Sequence, residues 1–317
     1  MRIACWTAVL LLQCGACLAQ DYPSKPLRLV TPFPPGGSAD VIARVAAQKL
    51  GETLGQPVVI DNRPGAGGLV GNDYVAKLPP DGYTLLLITG AYPVQAAMLK
   101  SLPFDPLADI AMVSMLTSYP FVLSVRADSP MASVDDLIAR AKASPGRLNY
   151  PSSGIGTVHH LSGELFNSMA GTEMFHVPFR GGAGPLNELL GGRVDVLFEA
   201  MTLSIGQIRG GKLRPLAVTS RSRWKSLPEV PAVNETLPGY EVISYIGLGT
   251  TGGTPAAFIE RLNAEVRKML DSPDGYKRLA DLGGEPRATS PEEMRATIER
   301  DIAKWRDVVA QRRIERQ

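Results

Sequence analysis

The chain has 317 residues, of which 44% are hydrophobic and 20% are charged, and its formal net charge at pH 7 is +2. A chain of this length can bury a substantial core, and two domains are more usual than one. Its lysines and arginines form no run, which argues against a nucleic-acid-binding protein, because such proteins present clustered positive charge.

The first nineteen residues have the pattern of a secretory signal peptide. Arg2 supplies a positive start, and Ile3 to Leu12 form an apolar stretch that is too short to span a bilayer. Cleavage is predicted after Ala19, and lipidation of Cys17 is the alternative. All three cysteines lie in this segment, so the mature chain would contain no thiol for disulfides, catalysis or metal binding. We therefore expect an exported protein.

Short apolar runs alternate with helical patterns along the rest of the chain. Strands are predicted at 27–32, 57–61, 84–89, 147–151, 174–178, 194–198 and 213–219. Helices are predicted at 39–54, 66–77, 133–143, 157–170, 183–190, 201–210, after Thr254 and from 291 to about 315. Ser133 and Ser290 are predicted N-caps of two of these helices. The alternation predicts an α/β fold with parallel sheets that carry helices on both faces.

Two long apolar segments, residues 120–126 and 240–248, break this alternation. They bracket the middle of the chain and can be interpreted as two crossings between lobes, or as ordinary core strands. In the first interpretation one lobe comprises residues 20–124 plus 248–317, and the other comprises 125–247. Two lobes joined by two crossings form a hinge with a cleft, which is where ligands bind.

Several motifs follow one another in a characteristic order: "PFPPGGSAD", "VIDNRPGAGGLVG", "YPSSGIGTVHHLSGELF" and "HVPFRGGAGPLNELLGGRVDVLF". From about residue 23 to the C-terminus the chain resembles the Bug family of extracytoplasmic solute receptors, the binding proteins of tripartite tricarboxylate transporters. The resemblance implies a two-lobed periplasmic binding protein fold with two crossover strands and an interlobe cleft. It also implies a carboxylate-type ligand, a membrane permease as partner and a periplasmic location.

Two positions depart from the family pattern. Ser244-Tyr245-Ile246 stands where a tryptophan is common, and Glu199 stands where aspartate is common. Both lie at the expected hinge or pocket, so they affect the identity of the ligand and leave the fold assignment unchanged.

The turn after the first strand is the first candidate binding loop. Gly36 and Gly37 have no Cβ, so their amides can approach a ligand closely. Ser38 is predicted to cap the following helix, and Asp40 lies in its first turn. The free amides of that turn can donate to an anion. A plain strand-to-helix turn would fit the local sequence as well, and the family resemblance assigns the loop to the ligand.

Residues 152–157 repeat this arrangement in the second half of the chain, with two hydroxyls and two glycines before a helix. Two helix N-termini facing each other could hold a carboxylate without a buried cation. Arg180 is the nearby strand-end cation and fits a solvated loop equally well. The predicted ligand-binding residues are Phe33, Pro35, Gly36, Gly37, Ser38, Asp40, Thr89, Gly90, Ala91, Ser152, Ser153, Gly154, Gly156, Thr157, Arg180, Gly181 and Glu199.

We expect a binding protein and not an enzyme, with no catalytic residue, metal or cofactor. The expected partners are a small organic acid or amino acid and a membrane permease, with no nucleic acid, and the receptor is expected to be a monomer. A secreted serine hydrolase that uses Ser153 is the alternative, although the chain lacks G-x-S-x-G. An adhesin is a third class, for which the sequence has no repeat.

Overall fold

The computed structural model describes residues 22–311, 314 and 316; the predicted signal peptide and its three cysteines lie outside this part of the chain. Within the described residues, no helix is both long and apolar enough to cross a membrane. The helices are α1 (Ser38–Leu54), α2 (Leu69–Ala76), α3 (Ala91–Met98), α4 (Val134–Ala143), α5 (Val158–Ala170), α6 (Gly184–Leu190), α7 (Met201–Arg209), α8 (Val233–Thr236), α9 (Ala256–Asp271), α10 (Pro273–Ala280) and α11 (Pro291–Gln311). The strands are β1 (Leu27–Thr31), β2 (Val58–Asn62), β3 (Thr84–Thr89), β4 (Ile110–Arg126), β5 (Asn149–Ser152), β6 (Phe175–Pro178), β7 (Leu197–Ala200), β8 (Leu213–Val218), β9 (Ile243–Thr251) and β10 (Glu285–Pro286).

The main sheet has the strand order β10-β4-β9-β3-β1-β2, and β5 and β6 form a separate parallel pair. β1 runs parallel to β2 and β3, as predicted. The expectation of parallel sheets is wrong for β4 and β9, which pair antiparallel with each other and with their other neighbours. The reason is that these strands cross the molecule and do not follow a strand-helix-strand unit, which is what makes neighbours parallel.

β4 is the strand that both halves of the molecule share. Its residues 110–120 pair with β9, and its residues 121–126 pair with β7 and β8. The apolar segment 120–126 is therefore the second part of a strand that begins ten residues earlier. This shared strand and β9 are the two crossings of a two-lobed fold, while the residue bounds of the lobes stay a prediction.

Both faces of the main sheet are buried, which explains why its strands are apolar throughout. Leu85 and Leu87 of β3 pack on the side that carries α1, in the same cluster as Ile42. Leu86 and Ile88 point the other way, toward the cluster that contains residues of α11. Side chains alternate between the two faces of a strand, so the apolar residues of β3 pack against a layer of helices on each side of the sheet.

The helix starts confirm two predicted caps and correct one. Ser133 accepts a hydrogen bond from the Asp136 amide. The hydroxyl of Ser290 accepts from the Glu293 amide, and the carboxylate of Glu293 accepts from the Ser290 amide. Ser38 was expected to cap α1, but Gly37 occupies the N-cap position and Ser38 is the first helical residue. α3 was not predicted, because all of its residues are buried and it has no polar face to reveal a helical period.

Candidate functional site

A cavity of about 50 Å³ lies where the two halves of the molecule meet. It is called the inner cavity below. Its walls come from the loops that follow β1, β3, β5 and β7 and from the crossing strands β4 and β9. Its lining residues are Phe33, Gly37, Ser38, Ala39, Thr89, Ala91, Tyr119, Phe121, Ser153, Thr157, Val158, His159, Gly182, Glu199 and Ser244.

Three helix N-termini meet at the inner cavity. Residues 37–39 begin α1, Ala91 begins α3, and residues 157–159 begin α5. Amides in the first turn of a helix have no acceptor within the helix, and the helix dipole makes this end positive. No lysine or arginine is among the residues that line this cavity. Backbone amides and hydroxyls are therefore the donors that this cavity offers to an anion without any permanently charged side chain.

Asp40 holds the first loop in place. Its carboxylate accepts hydrogen bonds from the Gly36 amide at 3.1 Å, Asn62 Nδ2 at 3.0 Å and Arg44 Nε at 2.8 Å. Burial opposes ionisation of Asp40, but the bonds from Arg44, Gly36 and Asn62 outweigh it and lower the pKa of the carboxyl group. The carboxylate thus ties the loop at Gly36 to α1 and to the end of β2, and Asp40 supports the site without being one of its lining residues.

The second loop is held by its own hydroxyls. Thr157 Oγ1 donates to the Gly154 carbonyl at 2.6 Å and is the N-cap of α5, where it accepts from the His160 amide. Ser152 Oγ accepts from the Gly154 amide at 3.1 Å and lies 2.6 Å from His176 Nε2. Ser152 thus stabilises the loop through these contacts, while its neighbour Ser153 lines the cavity.

A hydrogen-bonded chain of three side chains runs along one wall. Ser153 Oγ lies 2.9 Å from His159 Nδ1, and His159 Nε2 lies 3.1 Å from Glu199 Oε1. Glu199 Oε1 also accepts from the Ala200 amide at 2.8 Å. In serine hydrolases the serine bonds Nε2 and the acid bonds Nδ1. The imidazole here is placed the other way round, which does not favour the hydrolase alternative.

Aromatic rings from β4 form another wall. Phe121 packs against the His159 ring with centroids 4.8 Å apart, and Tyr119 contacts Phe121 edge-on. Burial raises the pKa of Tyr119, a hydrogen bond with Ser244 opposes this, and nearby Glu199 raises it further. Tyr119 therefore keeps its proton and presents a neutral ring.

The two sides of the cleft touch through residues without side chains. A Cβ on Gly37 would lie 3.3 Å from the Cα of Gly182, and a Cβ on Gly67 would lie 3.2 Å from the Ile155 carbonyl oxygen. Glycine thus permits an approach between the two backbones that any larger residue would hinder.

A second cavity of about 650 Å³, the outer cavity, shares Phe33 and Ser153 with the inner one. Its lining includes residues 65–69 from the loop after β2, residues 153–156 and Arg180. The two cavities therefore adjoin at Phe33 and Ser153, and Arg180 is the one cationic residue in the lining of the outer cavity.

The predicted site residues divide into three groups. The inner cavity is lined by Phe33, Gly37, Ser38, Thr89, Ala91, Ser153, Thr157 and Glu199. The outer cavity is lined by Gly154, Gly156 and Arg180, together with Phe33 and Ser153. Six lie in neither lining: Pro35, Gly36, Asp40, Gly90, Ser152 and Gly181.

Sequence reasoning missed seven lining residues: Ala39, Tyr119, Phe121, Val158, His159, Gly182 and Ser244. Tyr119 and Phe121 could have been found, because residues two apart on a strand share a face. His159 and His160 do point in different directions, as expected for neighbours on a helix. The ring of His160 stacks on His176, away from the cavity, whereas His159 faces into it.

Comparison with known proteins identifies the chain. The family described as tripartite tricarboxylate transporter family receptor matches residues 42–314. The structure is similar to that of the periplasmic binding protein BugD, with a TM-score of 0.89 and 30% identity over 93% of this chain and 100% of that one. It is also similar to Rpa4515 of R. palustris with adipate, with a TM-score of 0.88 and 38% identity over 92% and 98% of the two chains.

A third similar structure is MatC from Rhodopseudomonas palustris with bound malate, with a TM-score of 0.86 and 31% identity over 91% of this chain and 100% of that one. These matches span nearly the whole described chain and confirm both the resemblance to Bug proteins and the periplasmic binding protein fold. The chain belongs to the receptor family of the tripartite tricarboxylate transporters.

Proposed function

We propose that this chain is a periplasmic receptor that captures a small carboxylate-containing ligand and delivers it to the permease of a tripartite tricarboxylate-type transporter. The observation that carries the proposal is the meeting of three helix N-termini at the inner cavity. Amides aimed at one point provide an anion site without a cationic side chain. The similar structures of Rpa4515 with adipate and of MatC with bound malate support a carboxylate as the ligand.

The ligand is proposed to hold the two lobes together. The α1 loop contributes from one lobe and the α5 loop from the other, and β4 and β9 act as the hinge. A ligand that binds both loops stabilises the closed form by its extra affinity for that form. The permease is proposed to recognise the closed receptor, which acts as a monomer. Export through the N-terminal signal peptide would put it in the periplasm.

The two cavities suggest an extended ligand. One carboxylate occupies the inner cavity, and the remainder runs past Phe33 and Ser153 into the outer cavity, where Arg180 is available for a second anionic group. The serine hydrolase alternative is not retained, since the family consists of receptors and the imidazole next to Ser153 has the opposite orientation from that in a catalytic triad.

Calorimetric titration of the purified protein with adipate, malate and the neutral diamide of adipate tests the proposal. We expect binding of at least one dicarboxylate and much weaker binding of the diamide, because each amide group is uncharged and carries an NH2 donor where the carboxylate has a second acceptor oxygen. Mass spectrometry of small molecules released on denaturation is the parallel measurement. Equal binding of the diamide, or release of a neutral sugar, would contradict the carboxylate assignment.

A further inference from the structure

Glu199 is an unexpected residue in a site for anions. Its side chain is 2% exposed, it lines the inner cavity, and it is the one acidic residue among those lining residues. A buried carboxylate disfavours a second negative charge nearby. A positive charge next to Glu199 would offset this repulsion and add to the attraction by the helix amides, and none of the lining residues is lysine or arginine.

His159 is placed to supply that charge. Its side chain is 12% exposed, and it lies between Glu199 on one side and Ser153 on the other. When the imidazole is neutral, its one proton is on Nε2, because the Glu199 carboxylate can only accept. Nδ1 is then an acceptor, and the Ser153 hydroxyl donates to it. In this state Ser153 offers a ligand only lone pairs, which repel a carboxylate oxygen.

We propose, on the basis of the function proposed above, that this receptor takes up one proton on His159 when it binds a carboxylate. A proton from solvent adds to Nδ1, and the resulting N–H donates to Ser153 Oγ. The Ser153 O–H rotates away from the ring and donates to the ligand. The imidazolium stays bonded to Glu199 through Nε2–H. One proton thus turns Ser153 from an acceptor into a donor and neutralises the charge of Glu199.

The other titratable groups near His159 do not offer this response. Tyr119, from β4, keeps its proton because burial raises its pKa. The next residue, His160, faces His176, Glu164 and the Gly156 amide, and burial lowers its pKa. Burial and the nearby His160 lower the pKa of His176 to about 3. The sequence contains three histidines, so His159 is the remaining one.

The test is calorimetric titration with adipate, and with malate if adipate does not bind, between pH 6.5 and 8.5, where both ligands stay dianionic. Each titration is repeated in triethanolamine and in Tris, two cationic buffers whose ionisation enthalpies differ and which do not compete for an anion site, so the difference in observed heat counts protons. We expect net uptake that approaches one proton, and a Kd that weakens with rising pH by up to about tenfold per pH unit.

Three variants test which residue takes up the proton when the ligand binds. His159→Gln keeps an amide donor toward Glu199 but cannot be protonated, so its binding should be weaker at pH 6.5 and independent of pH. Glu199→Gln should reduce the uptake, since the imidazolium loses its partner. His176→Gln is the histidine control, because His176 lies outside the inner cavity; it contacts Ser152 of the second loop, so the quantity compared is the proton uptake per bound ligand, which should persist even if the affinity changes. Circular dichroism establishes that each variant is folded.

The outcomes separate this inference from the proposed function. Binding of a dicarboxylate without proton uptake in the wild type overturns the inference alone, and this result does not depend on any variant folding. Uptake that persists in His159→Gln but disappears in Glu199→Gln puts the proton on the acid and overturns the assignment to His159. Absence of binding by both adipate and malate overturns the proposed function and the inference with it.

Discussion

The contact between Gly37 and Gly182 makes closure of the cleft sensitive to a single added side chain. The Cβ of an alanine at position 37 would lie 3.3 Å from the Gly182 Cα, a tight contact that a small shift relieves. Valine adds two methyl groups beyond that Cβ, and the atoms they meet belong to the backbone of Gly182, which cannot rotate away. Gly37→Val should therefore prevent full closure and leave the open form unhindered.

The expected magnitude follows from this geometry. Overpacking of this kind costs about 1–3 kcal/mol, and if the cost falls on the closed form only, the Kd weakens by roughly 5- to 150-fold. Gly37 has an ordinary φ of −84°, so valine does not strain the backbone there. In the open protein the main effect of valine is a poorer N-cap for α1. This lowers the free energy of unfolding by about 1 kcal/mol or less, and it lowers Tm by only about 2–4 °C.

Calorimetric titration with the identified dicarboxylate and thermal unfolding of the ligand-free protein measure the two quantities separately. Gly37→Ala should fall between the wild type and Gly37→Val in affinity. Gly206→Ala is the matched control, because position 206 lies within α7 and has no atom within 4 Å of the added Cβ. A large fall in Tm with unchanged affinity in Gly37→Val would show that the loop is purely structural and refute the reasoning.

Three further predictions concern the loops and their support. Ser38→Ala and Ser153→Ala should each weaken binding by about 0.5–1.5 kcal/mol, and the double mutant should depart from additivity in calorimetry, because each loop's contacts depend on closure by the other. Asp40→Asn should lower Tm at pH 7. This difference should shrink as the pH falls below about 4, since a carboxylate with a lowered pKa stabilises the fold only while it is ionised in the native state. His176 has its pKa lowered to about 3, so the unfolded chain binds its proton first and stability falls as pH drops below about 6.5. His176→Gln should therefore make Tm less sensitive to pH between 6 and 4.

The strand-to-helix loops could be predicted because their signal is local. Glycines after an apolar run and a hydroxyl before a helix are read from a few adjacent residues, and Gly37, Ser153 and Thr157 do line the inner cavity. The walls formed by Tyr119 and Ser244 depend on which strands lie side by side. In that pairing Tyr119 stands opposite Ser244 although 125 positions separate them in the sequence (244 − 119 = 125), and no local pattern predicts which residues meet over such a distance.

His159 was missed for a different physical reason. Its part in the site depends on Glu199, forty residues later, arriving at 3.1 Å from its ring. The pair His159-His160 carries no sign of which ring faces the ligand, since the answer depends on how α5 is rotated against β7. Ser38 shows the same limit over a single residue. The helix begins one residue earlier than predicted, so Ser38 is not the N-cap but the first helical residue, and it lines the cavity from there.

The position of β9 also determines the order in which the molecule can be completed during folding. β9 comes late in the chain, yet it lies between β3 and β4 and bonds to both. Before residues 243–251 arrive, β3 has an unpaired edge, and the parallel unit of β1, β2 and β3 has nothing to join it to the rest of the sheet. The intervening chain, with β5 to β8, can collapse first around the end of β4. The half that begins the sequence is thus expected to be the last to acquire its native sheet, and insertion of β9 is the expected slow step because it closes long-range pairings with both β3 and β4 at once.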